Sequence, residues 1–312
     1  MKNESGNPLL CDVESGLCEL PSTHDNTQGQ SIAAGPKPIR VIYFTDPICS
    51  SCWGIEPPLR KLKLAYGHLL EFDYRMGGLL PDWSYNSSGI NKPSDVAHHW
   101  DEVSVHYDMP IDGDVWLEDP LSSSYPPSIA FKAAQWQHRD KAILFLRALR
   151  EMVFLQKKNI NKWEYIAQAA AQAGLDSSQL KTDYAGYART LFAGDLELAR
   201  QLGVRGFPTM FFVDSVGRQE KVYGSRTFAD YVSAIRKLQP LAQPYPYQND
   251  WQHLFAQYPS LTTREFTELS GIPRSDWDKH LNTLHEAGIL HKLTTKNGVL
   301  WQLKGSGDAC TH

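Results

Sequence analysis

Cys49 and Cys52, on either side of Ser50-Ser51, are the residues best suited to chemistry in this chain. Two thiols at this spacing close a small disulfide or open as a dithiol, so the pair fits thiol-disulfide exchange. The same spacing serves as half of a zinc site, but that needs about two further ligands, and no second CxxC occurs in the sequence. An apolar, β-branched run begins at Ile39 and stops at Asp46-Pro47, and a helical pattern opens at the cysteines. At a strand-to-helix junction the first sulfur lies among unpaired N–H groups, at the positive end of the helix. That setting stabilises a thiolate. Cys49 is the candidate nucleophile and Cys52, one turn further on, the resolving thiol, so loss of either is expected to abolish turnover.

Other groups carry weaker signals. Asp46, three residues before Cys49, either polarises the site or caps the turn. Trp53 and Trp116 either line a groove or fill the core. Cys11 and Cys18 bracket a short segment, which allows a local disulfide or half of a metal site that Cys310 and His312 would complete. The alternative is free thiols on two unrelated tails. His98, His99 and His106 share one amphipathic helix and read as a solvated face rather than a metal set. No cofactor is expected, apart from that optional structural zinc at the termini.

The elements around the dithiol form a split α/β unit. Ile39 starts a strand, a helix with a proline kink at Pro57-Pro58 runs to about Tyr66, and Leu69 to Met76 forms a second, parallel strand. Helical spacing then covers 94–106, 127–138, 140–158, 161–173 and 176–202, with an aromatic and proline-rich wall, YDMPIDGDVWLEDPLSSSYPPS, after the first of these. The strand pattern resumes at Gly206-Phe207-Pro208-Thr209 and Met210 to Asp214. A hairpin partner at Gln219 to Tyr223 and a helix at Thr227 to Leu238 follow. The layout predicts an arm (1–38), an α/β domain (39–238, helical insertion about 94–202), a Pro-rich linker (239–250), a small module (251–304) and a tail (305–312). In the module, capping boxes at Thr262/Glu265 and Ser275/Asp278, a helical face through Trp277, Leu281 and Leu284, and an Asn297-Gly298 hairpin turn outline a winged helix.

With 312 residues, 42% hydrophobic, 21% charged and net charge -4, the chain has the composition of a globular protein with room for two cores. The weak negative balance argues against general nucleic-acid or anionic-membrane binding. The winged helix's second helix sets Asp276, Asp278 and Glu286 against Lys279, a face that repels phosphates and suits protein docking or core completion. The first residues lack an apolar signal core, and five cysteines without one point to a reducing, cytoplasmic setting.

The CxxC, the proline five residues later and the Gly-Phe-Pro-Thr before a third strand resemble a thioredoxin fold, and the helical insertion is similar to that of the DsbA family. TDPICSSCWGIEPPLRKL, the aromatic wall and LARQLGVRGFPTMFFVD resemble the FrnE-like dithiol isomerases and the YjbH group, cytosolic adaptors that deliver the regulator Spx to the ClpXP protease. The resemblance implies a thioredoxin fold with a DsbA-type insertion and a cis-proline at Pro208. Cys49, Cys52 and Pro208 would be catalytic, with Asp46, Ser50, Ser51, Trp53, Phe207 and Thr209 shaping the site. It implies a cytoplasmic oxidoreductase or isomerase acting on protein or peptide thiols, or an adaptor for a regulator and a protease. The chain departs from the pattern in its arm, which has fewer Cys and His residues than YjbH proteins. It departs again at Ser50-Ser51, which replace the Pro-His of strongly oxidising DsbA.

Overall fold

The structure, a computed structural model, describes residues 11–12, 17–19, 37–84 and 92–304. In chain order, β1 (Cys11–Asp12) and β2 (Leu17–Glu19) precede β3 (Ile39–Thr45), α1 (Ser50–Gly54), α2 (Glu56–Tyr66) and β4 (Leu70–Met76). The insertion holds α3 (Pro93–Tyr107), α4 (Val115–Glu118), α5 (Tyr125–Gln137), α6 (Arg139–Leu155), α7 (Trp163–Gln172), α8 (Ser177–Ala185) and α9 (Ala188–Gln201). Then come β5 (Gly206–Phe207), β6 (Thr209–Asp214), β7 (Gln219–Tyr223) and α10 (Phe228–Leu238). The last part contains α11 (Trp251–Gln257), β8 (Ser260–Thr262), α12 (Thr263–Ser270), α13 (Arg274–Glu286), β9 (Leu290–Thr295) and β10 (Gly298–Leu303).

The central sheet has the order β4-β3-β6-β7, with β3 parallel to β4 and antiparallel to β6. Its apolar middle strand explains the layering. In β3 every residue but Arg40 is buried, so both faces must be covered by helices. One continuous core joins β3 and β6 to α2, α5, α6 and α10. This is a thioredoxin-type fold of DsbA-like form, with a small sheet and helices added at its C-terminal end.

Four features differ from the sequence reading. The helix after the cysteines is two helices, broken at Ile55, because Pro57 and Pro58 suit a first helical turn better than an interior. The expected 176–202 helix is also two, α8 and α9, interrupted at Gly186-Tyr187. In the module, Thr262 and Glu265 do form a reciprocal capping box, but Ser275 lies inside α13, whose N-cap is Pro273. The hairpin turn falls on Lys296-Asn297, one residue earlier than expected, with Gly298 already paired to Thr295.

The module's sheet has the order β8-β10-β9. Successive residues of β10 point to opposite faces, and both faces are apolar surroundings. Trp301 enters the module's own core with Trp277 and Leu281, while Leu300 enters the core of the thioredoxin part. The strand is therefore a seam. Among the described residues, no helix is long and apolar enough to cross a membrane.

Candidate functional site: a dithiol at the head of a short helix

The β3 strand delivers Asp46 and the cysteines to its carboxyl end. Cys49 is the N-cap of α1, and its sulfur accepts a hydrogen bond from the Cys52 N–H at 3.1 Å. Orphan N–H groups of a first helical turn thus face this sulfur. Cys49 and Cys52 are joined as a disulfide with Cα atoms 5.2 Å apart. Cys49, Ser50, Ser51 and Cys52 are all buried.

Tyr107 covers the outer side of α1. Its hydroxyl donates to Ser51 Oγ at 3.1 Å. Its ring lies where a side chain on Gly54 would be, 2.4 Å from an ideal Cβ, so only glycine permits this approach. Opposite the dithiol, the Phe207-Pro208 bond is cis and follows directly on β5. Phe207 is fully buried, with its ring against Gly77, and Thr209 Oγ1 donates to the Gly206 carbonyl at 2.7 Å.

Asp46 is completely buried below the cysteines. Its carboxylate accepts from Ile48 N–H (3.0 Å), Leu79 N–H (2.8 Å) and Ser124 Oγ (2.8 Å), and its own carbonyl accepts from Cys49 N–H. Burial pushes its carboxyl up to about 6, against the opposing pull of those donors and of Arg150. The capping geometry holds the turn before α1. A carboxyl that titrates near neutrality beside a dithiol can also hold or release a proton there.

Beneath Asp46 runs a buried chain of charges. Arg150, 1% exposed, donates to Glu56 at 2.7 Å, to Thr45 Oγ1 at 2.6 Å and to the Asp46 carbonyl at 3.3 Å. Burial alone would raise the Glu56 carboxyl, but the guanidinium groups of Arg150 and Arg60 outweigh it and hold it below the ordinary value. Arg60 and Arg147 then meet Glu265 of the C-terminal module at 3.2 and 2.8 Å. Arg147 also lies over the Trp53 ring, 4.3 Å from its centre. Burial lowers the Arg147 guanidinium, yet Glu265 and Glu151 leave it above its ordinary range.

The structure thus gathers Asp46, Cys49, Ser50, Ser51, Cys52, Phe207, Pro208 and Thr209 around one sheet end. Trp53 and Trp116 lie in the core; the Trp53 indole donates to the Pro110 carbonyl at 3.0 Å. On α3, His98 is exposed and paired with Glu102, whereas His99 is buried. Among the described residues no three His, Cys, Asp or Glu side chains are grouped to hold a metal ion, while Cys310 and His312 lie outside those residues. Sequence reasoning missed Tyr107, Glu56 and Arg150. Of these, Arg150 left a signal, as a lone cation in the apolar face of α6.

The profile of a thioredoxin family matches residues 43–233. The chain belongs to this thioredoxin family. The ClpXP adapter protein SpxH of Halalkalibacterium halodurans is 32% identical over 306 residues, which cover 95% of this chain and 97% of that protein. SpxH of Bacillus subtilis is 29% identical over 85% of this chain and 89% of its own length. Among solved structures, the cytosolic disulfide reductase DsbM from Pseudomonas aeruginosa superposes with a TM-score of 0.52 at 21% identity, over 65% of this chain and 100% of that one. At that identity the likeness concerns the fold. The thioredoxin-family site and the module attached to it are both present in the span shared with SpxH.

Proposed function

We propose that the chain is a cytoplasmic adaptor of the SpxH kind, which binds an Spx-type regulator and presents it to the ClpXP protease. The observation that carries this reading is coverage. The SpxH relative matches 95% of the chain, C-terminal module included, whereas the disulfide reductase corresponds to 65% of it. The burial of Glu265 against Arg60 and Arg147 supports the same reading, because it makes one rigid surface of two modules, as a scaffold for two partners requires. Immobilised chain should retain a purified Spx-type regulator, and a Cys49→Ser, Cys52→Ser double variant should retain it equally. Retention by neither sinks the adaptor reading.

A second reading is favoured by a different observation, the Cys52 N–H donated to Cys49 Sγ opposite Pro208. It makes the chain a thiol-disulfide oxidoreductase or isomerase acting on protein or peptide thiols through a mixed disulfide on Cys49. A disulfide-reduction assay in which Cys49→Ser is as active as the wild type removes this reading. The two readings are compatible, with exchange at the dithiol serving as the sensor of an adaptor.

A further inference from the structure

The helix that carries the dithiol, α1, packs against a strand of the chain's own N-terminal segment. β2 pairs antiparallel with β5, in a register that sets Cys18 opposite Phe207 and Glu19 opposite Gly206. It also packs against α1, the helix that Cys49 caps. β2 is thus held between β5, with residue 18 opposite Phe207, and the dithiol helix α1. An extended peptide adding itself to β5 would take this same place, since strand addition satisfies the free backbone groups of an edge. On the far side of β2, β1 sets Cys11 opposite Cys18. Directly opposed residues of antiparallel strands have Cα atoms about 4.5–5.5 Å apart, inside the range of about 4.4–6.8 Å that a disulfide spans.

We propose that the β1–β2 pair is a tethered occupant of a client-strand site, and that Cys18 is the internal exchange partner of Cys49. The chemistry closes without an outside reagent. The Cys18 thiolate attacks Cys49 Sγ; the Cys49–Cys52 bond breaks, and Cys52 leaves as a thiolate. The Cys11 thiolate then attacks Cys18 Sγ, forming the Cys11–Cys18 disulfide and releasing the Cys49 thiolate. Two electrons pass from the Cys11/Cys18 dithiol to the Cys49–Cys52 disulfide, and the two thiol protons go to the solvent or to the released thiolates. The reverse sequence reloads the arm. Cys49 and its neighbours are buried, and on this proposal a client strand gains the site by displacing β2 from β5. Strands of two and three residues are short enough to be displaced by a longer one.

This inference rests on the exchange reading of the dithiol and is independent of the adaptor reading. It is tested on the full-length Cys11→Ala, Cys52→Ala double variant, which lacks both thiols that could resolve a Cys18–Cys49 bond, equilibrated in a glutathione redox buffer, acid-quenched, alkylated and peptide-mapped without reduction. Tethering gives Cys18 a local concentration in the millimolar range or above, so the Cys18–Cys49 disulfide should exceed the Cys49–glutathione adduct by about tenfold in about 0.1 mM glutathione. The ratio should not change on dilution of the protein, and adding Cys18→Ser should convert Cys49 to the glutathione adduct. A Cys49 that carries glutathione or Cys310 while Cys18 is intact overturns the proposal but leaves exchange at Cys49 standing. A Cys49 that forms no mixed disulfide at all overturns both.

Discussion

Arg147 donates two guanidinium nitrogens to the carboxylate of Glu265, at 2.8 and 2.9 Å, although 118 residues separate them. Both side chains are almost fully buried, and the same carboxylate closes the capping box of α12 by accepting from the Thr262 N–H at 2.7 Å. One residue therefore caps the start of a helix, neutralises Arg60 and Arg147, and fastens the C-terminal module to the dithiol domain. Around it, Lys296 reaches Asp101 and Asp114, Arg60 donates to the Ser260 carbonyl, and Leu300 enters the larger core.

Removing one partner of a buried ion pair leaves the other uncompensated, which costs about 3–5 kcal/mol. Glu265→Ala should lower the unfolding free energy by about that amount, measured by denaturant titration. Because Leu300 and the buried ion pairs of Glu265 tie the module to the main domain, wild type should unfold in a single transition followed alike by fluorescence and circular dichroism. Two separated transitions in the wild type would contradict that coupling.

At α1 the constraint is steric. Gly54→Ala places a methyl group inside the Tyr107 ring, and overpacking of this kind costs about 1–3 kcal/mol. Tyr107→Phe keeps the ring and removes the bond to Ser51 Oγ, which should cost about 0.5–1.5 kcal/mol. Thermal denaturation of both variants checks the order. If Tyr107→Phe proves the more damaging, the ring is not what fixes α1.

The main frame was legible in the sequence, and the reasons are local. The apolar run of Ile39 to Thr45, the CxxC and the Gly-Phe-Pro-Thr segment fix a strand, a helix head and a second strand within a few residues each. Thr262 and Glu265 announced their helix in the same way. What escaped depends on distant partners. Nothing near Tyr107 tells that its ring will lie on Gly54, and Glu265 reads as a capping residue until Arg60 and Arg147 arrive from elsewhere. Leu300 was legible as a residue after a hairpin turn, but nothing local tells that it enters the larger core. Ser275 misled because a capping signature two residues after Pro273 looks, locally, like a helix start.

Asp46 gives a pH prediction whose sign follows from its burial. Its carboxyl titrates at about 6 in the folded chain, above an ordinary value of 3.8. The folded state therefore holds more protons than the unfolded state between these values, and this group's contribution to stability falls as pH rises through that window. The difference corresponds to on the order of 3 kcal/mol, lost between about pH 4 and 6 and constant above. Glu56 acts in the opposite sense, because its depressed carboxyl contributes stability above its ordinary range and loses it on acidification. Carboxyl ¹³C shifts of Asp46 followed against pH should show a midpoint near 6. A midpoint near 4 would mean that the donors from Ile48, Leu79 and Ser124 cancel the effect of burial.

The central claim is that the chain serves a protease as an adaptor and that binding does not need the dithiol. The most direct measurement is the rate at which purified ClpXP degrades a purified Spx-type regulator, with and without this chain. The account predicts that wild type raises the rate by tenfold or more, on the order of a 1.4 kcal/mol change in the limiting step. It predicts that the Cys49→Ser, Cys52→Ser variant raises the rate to within about twofold of wild type, or under 0.5 kcal/mol on the same scale. An unchanged rate with wild type present, the regulator and protease both being active, would contradict it.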